Sequence, residues 1–320
     1  MSHSIWNYGN QYDWMNMVRK SAMPPAIICV AVNGGVQGKE ASEAIPETPE
    51  EIAQAAYEAY QAGASMIHIH ARDKDNLAEG SGDPARFREI NGMVREKCPD
   101  IIINNTTGGS YGMTVEQRVA ALSAKPEVAS LNMGPDMYNI TLKERKAPLP
   151  NPRPALELEG LVPTTYKELI TFAKAMREQG IRPEMETYNP GHFWSINYLI
   201  SEGLITPPYD IQFVIGGGMA AYPTPESFLQ MVNLLPADSK FSVASMGQFQ
   251  VPMSAMSLLM GGNVRVGLED NIYKSRGVKW RSNGEAVEWV AGLARSLGRQ
   301  IATPAQAREM LALSPTPSKY

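Results

Sequence analysis

From residue 26 onward the chain alternates two patterns. Short runs trade apolar and polar side chains every second position; longer stretches repeat apolar positions at three and four. The first pattern predicts strands at 26–33 (AIICVAVN), 65–70 (SMIHIH), 100–106 (DIIINNT), 127–132 (EVASLN), 182–187 (RPEMET), 210–215 (DIQFVI), 240–245 (KFSVAS) and 263–269 (NVRVGLE). The second predicts helices in TPEEIAQAAYEAYQAG, DPARFREINGMVREK, TVEQRVAALSA, TTYKELITFAKAMREQG, TPESFLQMVNLL and NGEAVEWVAGLARSLG, each with a start signal. Thr48-Pro49 and Thr224-Pro225 are cap-then-proline pairs, with proline where a missing N–H costs nothing. Eight strands separated by helices imply parallel βα units, and eight strands close a (β/α)8 TIM barrel.

The alternation within strands supports closure. In 263–269, Asn263, Arg265, Gly267 and Glu269 share one face and Val264, Val266 and Leu268 the other; in 65–70, Met66, His68 and His70 oppose Ile67 and Ile69. The apolar set is expected to pack on the helices and the polar set to face the barrel axis. The expected organisation is an N-terminal extension over 1–25 and one catalytic barrel over 26–320, with a long proline- and charge-rich loop at about 133–163 after strand 4. A loop this long is usually functional or an assembly contact.

Composition narrows the class. The 320 residues carry a net charge of −4 and no extended basic stripe, which excludes nucleic acid as a partner in favour of small molecules. Cys29 and Cys98 follow no pairing pattern, which suits buried thiols in a reducing cytoplasm. The first 25 residues hold Trp6, Tyr12 and Trp14 but lack a secretory pattern, and no segment approaches the ~20 apolar residues that span a bilayer. The 18 methionines are scattered and read as adaptable core filling.

The candidate chemistry starts from the four histidines, two of which form His68-Ile69-His70. Side chains two apart on a strand point the same way, so the imidazoles sit one pleat apart. Glu269 ends strand 8, which in a closed barrel lies two strands from strand 2, and inward residues of alternate strands share layers. Two neutral nitrogens and a carboxylate are a frequent catalytic zinc set, with a position left open for water or substrate. Asp270 is expected to turn from the metal toward the loop as a general base. Arg265 needs an anionic partner among Glu269, Asp270 and Glu186, as a counter-ion or to hold an oxyanion.

Glycines mark three strand ends: Asn33-Gly34-Gly35, Thr106-Thr107-Gly108-Gly109 and Gly216-Gly217-Gly218. Such turns let backbone N–H groups approach a carboxylate or phosphate. Glu184 and Glu186 point inward together and need a cation, a bound proton or a substrate donor. His192, in NPGHFW, reads as a helix-start or stacking residue.

The strings IHIHARD, NTTGG, LNMG, PEMETY, IQFVIGGGM, VRVGLEDNIY and ATPAQAREML resemble the β-keto acid cleavage enzymes, over about residues 26 to 313. The resemblance implies a zinc-dependent barrel, commonly a homotetramer, that takes a 3-oxo acid and acetyl-CoA to acetoacetate and a new CoA thioester. It matches His68, His70 and Glu269 to the zinc ligands, Asp270 to the base and Arg265 to its neighbour. Thr106 matches a Ser or Thr that helps hold the substrate carboxylate and Glu186 an inward polar acid on strand 5; Glu186, Gly108, Gly109 and Asn33 are grouped with Thr106 as substrate-binding. Gly216, Gly217 and Gly218 are assigned to the CoA co-substrate. Two positions depart: Val36-Gln37 stand where an amine-binding glutamate would follow strand 1, and Pro135 stands where a hydroxyl residue often follows LNxG.

In the implied chemistry a metal-chelated 3-oxo acid loses a proton to Asp270, and its carbon attacks the acetyl thioester. Arg265 beside Asp270 favours the ionised acid and so weakens it as a base. Alternatives are a metal-dependent aldolase or acyl-CoA lyase, and a non-catalytic metabolite-binding barrel. An amidohydrolase-like hydrolase would need a histidine on strand 6, and none is there.

Overall fold

Each of the predicted strands pairs in parallel with its neighbours in the chain, and the last pairs with the first. In the computed structural model, which describes residues 11–20, 23–108, 112–218 and 220–320, the barrel strands are Ile28–Ala31, Met66–Ile69, Ile102–Asn105, Val128–Asn132, Arg182–Thr187, Tyr209–Ile215, Ser239–Ser245 and Asn263–Val266. Register places Ala31 beside His68, His68 beside Asn104 and Cys29 beside Arg265. The protein is therefore a (β/α)8 barrel.

The helices pack outside. Thr48 and Thr165 form capping boxes with Glu51 and Glu168, and Gly63 and Gly180 close those helices in the left-handed conformation. Besides Gln11–Arg19 and Pro304–Met310, which flank the barrel, two helices between barrel strands lie outside the expected set: Phe193–Ser201 and Gln250–Leu259. Neither has a side-chain N-cap hydrogen bond, each follows a 3-10 turn, and the second carries Pro252 in its first turn. Their sequences thus lack the start signals that announce the others.

The outward strand residues, such as Ile28, Val30, Ile67, Ile69, Ile103, Val264 and Val266, merge with the helices in one core. Inside, Cys29, Met66, Ile102 and Val128 form an apolar floor sealed by Ala307 and Leu311 from the region of the C-terminal helix Pro304–Met310. Polar side chains lie above that floor, as the alternation predicts. Both cysteines are buried and unpaired.

The segment after strand 4 is not a structureless loop. Asp136–Leu142 and Leu156–Val162 form an antiparallel ribbon with seven residue pairs. The prolines that suggested irregularity, Pro148, Pro150, Pro152 and Pro154, fall in the turn between its strands. Arg145 in that turn is fully buried, donating to both oxygens of Glu47 (2.7 and 2.8 Å) and to Glu40 (2.8 Å), which straps the turn to the loop after strand 1. Within the extension, Gln11–Arg19 is helical; Trp6 lies outside the described residues. Among the described residues no helix is long and apolar enough to cross a membrane.

Candidate active site

Strand pleating carries His68 and His70 to the C-terminal mouth of the barrel, where their rings meet edge to face with centroids 5.2 Å apart. The expected strand 263–269 ends at Val266, and the turn that follows it delivers Glu269 to the same place: His70 Nε2 lies 3.3 Å from Glu269 Oε1. One ligand atom from each of His68, His70 and Glu269 can be chosen so that all lie within 4.8 Å of one another. The predicted triad is thus assembled.

Glycine makes this approach possible. Gly267 has φ +139°, and a Cβ there would stand 2.1 Å from the carbonyl oxygen of Ala31, so only glycine lets strand 8 close on strand 1. On the other side, Gly34 has φ +66° and a Cβ there would meet Glu269 Cγ at 2.9 Å. The strand-1 turn therefore rests against the Glu269 side chain. The adjoining Asn33 accepts from the His70 amide (3.3 Å) and donates to the His70 carbonyl (2.9 Å). Its side chain fixes the backbone of a predicted ligand.

Two buried polar atoms in the triad, His68 Nδ1 and Glu269 Oε2, have no hydrogen-bond partner among the described residues. Such atoms are costly in a finished protein interior and ordinary in a site that takes a cation. Burial drives the His68 imidazole well toward its neutral form, the form that ligates metals. Burial opposes ionisation of Glu269, but the Arg265 guanidinium outweighs it and holds the carboxyl well below the usual range. Two neutral nitrogens and an ionised carboxylate fit a divalent metal of the zinc type.

Arg265 is 4% exposed and has all three of its expected partners. It forks onto Asp270 (Nε 3.0 Å, Nη2 2.9 Å), reaches Glu269 at 2.5 Å and lies 3.5 Å from Glu186. Asp270 is thus turned toward the guanidinium, not out to the loop as the chain order suggested, because an acid this buried needs its counter-ion. The tension over its basicity resolves in one direction: burial outweighs Arg265 and raises the Asp270 carboxyl above its ordinary value. Burial also pushes Glu186 up to about 7 and Glu184, beside Asp210, up to about 8. Asn104 and Gln212 each donate to Glu184 (2.8 and 3.0 Å), and Gln212 accepts from Arg265 at 3.3 Å, which ties the barrel interior to the site above.

The other predicted residues lie at or beyond the C-terminal ends of other barrel strands. Thr106 Oγ1 accepts from Gly108 N at 2.9 Å, while Thr107 is anchored to Ser130 and to Arg118, whose Nε donates to its carbonyl at 2.6 Å. Gly109 lies outside the described residues. Gly216 and Gly218 have positive φ, and Gly218 approaches the Met137 carbonyl, so this turn abuts the base of the ribbon, with Gly217 against Met246. His192 is a stacking residue as read: its Nδ1 accepts from Tyr188 N at 3.2 Å and its ring meets Tyr188 edge to face. Tyr188 itself was not singled out, although it continues the inward alternation of Glu184 and Glu186. Burial and the neighbouring Glu186 and Asp136 push its phenol up.

A closed barrel with an His-His-Glu centre at its C-terminal mouth, backed by a buried acid–arginine pair, is the layout of a barrel enzyme site. Residues 25–313 match the family model described as beta-keto acid cleavage enzyme, and the chain belongs to that family. It is 38% identical over 294 residues to a 3-keto-5-aminohexanoate cleavage enzyme of Acetoanaerobium sticklandii, covering 91% of this chain and 100% of that one. A 3,5-dioxohexanoate:acetyl-CoA acetone transferase of Paraburkholderia graminis is 34% identical over 297 residues, covering 90% and 95%. Among solved structures, apo ObcA matches with TM-score 0.67 at 21% identity over 85% of this chain and 66% of that one, a likeness of fold.

Proposed function

We propose that this chain condenses a 3-oxo acid with acetyl-CoA and cleaves the product to acetoacetate and a new acyl-CoA, using zinc held by His68, His70 and Glu269. The observation that carries this reading is the convergence of that triad, with two unpartnered buried atoms, beside the Asp270–Arg265 pair. Acetyl-CoA is named for the Paraburkholderia relative, which supports it as co-substrate here.

When bound, the ion supplies Lewis acidity to the oxygens of the 3-oxo acid. The residues do the rest. Asp270 takes a proton from C2, and its raised carboxyl makes it a better base than an exposed aspartate. Arg265, held charged by its acidic neighbours, stands beside the negative charge that develops. At the end of strand 3 the Thr106 hydroxyl, which accepts from Gly108 N and keeps its own proton to donate, holds the substrate carboxylate, and Glu186 and Asn33 complete the substrate wall. The Gly216-Gly217-Gly218 turn faces the CoA arm.

The bonds balance without redox change. C2 bonds to the acetyl carbon as the acetyl–sulfur bond breaks; the released thiolate bonds to C3 as C2–C3 breaks; the proton returns to C2. Homotetramer assembly and a cytoplasmic location belong to the same proposal, the latter supported by two unpaired buried thiols. The test is to incubate purified enzyme with zinc, acetyl-CoA and a panel of 3-oxo acids, following acetoacetate and acyl-CoA by mass. Both products should appear together. Absence of both across neutral, anionic and cationic substrates would leave a metabolite-binding barrel, and products from one substrate without acetyl-CoA would indicate a lyase.

A further inference from the structure

Arg265 meets three acids at the mouth of the barrel and one neutral residue on its inner side. That residue is Gln212 of barrel strand 6, fully buried, whose carbonyl oxygen accepts from Arg265 Nη1 at 3.3 Å. Its amide nitrogen donates to Glu184 Oε1 at 3.0 Å and to Ser242 Oγ at 3.2 Å, so both N–H groups are spent on the flanking strands 5 and 7. Register supports the bridge, since Gln212 pairs with Glu186 on one side and with Ser242 on the other. Turned over, the amide would set its own N–H groups against a guanidinium that can only donate. The carbonyl therefore faces Arg265.

This amide stands between two groups that would otherwise meet. Glu184 is buried one pleat deeper than Glu186; its second oxygen accepts from Asn104 at 2.8 Å, and no described cation lies within ion-pair distance of it. Burial and the neighbouring Asp210 keep its carboxyl protonated in neutral solution, but direct contact with a guanidinium would ionise it. Glu184 is thus a competing anion held in reserve. If Arg265 turned inward to pair with it, the guanidinium would give up its fork onto Asp270 at 2.9 and 3.0 Å. It would also leave the place where negative charge develops on the substrate.

Resting on the reaction proposed above, we infer that Gln212 is a positioning residue: its amide separates Arg265 from Glu184 and so keeps the guanidinium on Asp270. A neutral acceptor suits this task. It satisfies the inner N–H of Arg265 without claiming its charge, which stays with Asp270, Glu269 and Glu186.

The test compares wild type, Gln212→Met, Glu184→Gln and the double variant Gln212→Met/Glu184→Gln, by crystal structure and by steady-state kinetics with zinc loaded. In Gln212→Met the Arg265 guanidinium should come to about 2.8 Å from the Glu184 carboxylate, with its fork onto Asp270 opened. Displacing it should lower kcat roughly ten- to a hundredfold. Zinc content and KM for acetyl-CoA should stay within about twofold of wild type. The double variant should regain at least about fivefold in kcat over Gln212→Met and restore the fork, because the acid that draws Arg265 away is gone. A residue that only fills space would show no such rescue. Arg265 still forked on Asp270 in Gln212→Met, or a double variant no faster than Gln212→Met, overturns the inference, as does loss of zinc or a rise in both KM values with kcat kept. Should Gln212→Met fail to fold, Gln212→Asn, whose carbonyl is withdrawn by one methylene, carries the same structural and kinetic comparison. If wild type itself turns over no 3-oxo acid, the reaction fails, while the position of Arg265 in the crystals still decides whether Gln212 holds it.

Discussion

Replacing Arg265 with Met tests how the centre is held together. The guanidinium is 4% exposed and serves Asp270 through two bonds of 2.9 and 3.0 Å, Glu269 at 2.5 Å and Glu186 at 3.5 Å. Methionine keeps much of the volume but leaves buried acids facing one another without a counter-ion. Breaking a buried pair from one side costs roughly 3–5 kcal/mol. That is a large part of a typical domain stability of about 5–15 kcal/mol. Urea denaturation in chelator, comparing wild type with Arg265→Met, Asp270→Asn and the double variant, reads it directly. Arg265→Met alone should lose about 3 kcal/mol or more. The double variant should lose less than the two single losses added, because the Asp270→Asn change leaves one fewer charge stranded. Arg265→Lys should recover only part, since an ammonium cannot make the forked contact. A loss under about 1 kcal/mol for Arg265→Met, or strict additivity in the cycle, would refute the reasoning.

Asp270→Asn should keep full metal content while kcat falls by roughly 10²–10⁴, measured by elemental analysis and acetoacetate formation on one preparation; unchanged kcat would remove Asp270 as the base. Gly267→Ala forces a Cβ to 2.1 Å from the Ala31 carbonyl at φ +139°, so it should lose ~3 kcal/mol or more, a fall of roughly 6–12 °C in Tm; an unchanged melt would show that strand 8 can shift freely. Burial raises Glu184 to about 8 and its strand neighbour Asp210 to about 7, so the folded state holds protons that the unfolded carboxyls release near pH 4. Their contribution is fully present below that unfolded value and is lost as pH rises toward about 8, with a slope of at most ~1.4 kcal/mol per pH unit for each proton. Glu184→Gln should flatten that slope between pH 5 and 8, and denaturation curves with unchanged pH dependence would contradict the assignment.

Most of the barrel was legible because period-two strands and capped helices each declare themselves locally. Thr48, Thr165 and Thr224 carry their signals in a few residues, and the structure uses each as an N-cap. Phe193–Ser201 and Gln250–Leu259 were not legible because their stability comes from burial: Phe193 packs on Phe213 with centroids 6.4 Å apart, a contact between distant residues. The ribbon was hidden for a related reason, since an isolated pair of strands is marginal and the prolines of its turn dominated the composition. At the site, His68, His70 and Glu269 followed from face alternation plus closure. The turn of Asp270 onto Arg265 did not, because its direction is set by the buried guanidinium five residues back, to which it is bonded twice. Tyr188 was within reach of the same alternation that placed Glu186. Asn33 was marked by its glycine-rich turn, but its grip on the His70 backbone depends on how strands 1 and 2 meet in space.

The most direct test compares metal stoichiometry for wild type and His70→Ala, each stripped with chelator, reloaded with zinc and desalted. The account predicts about one ion per chain for wild type and essentially none for the variant, with both still folded by circular dichroism. Equal metal content in the two, or a wild type that retains none, would contradict it.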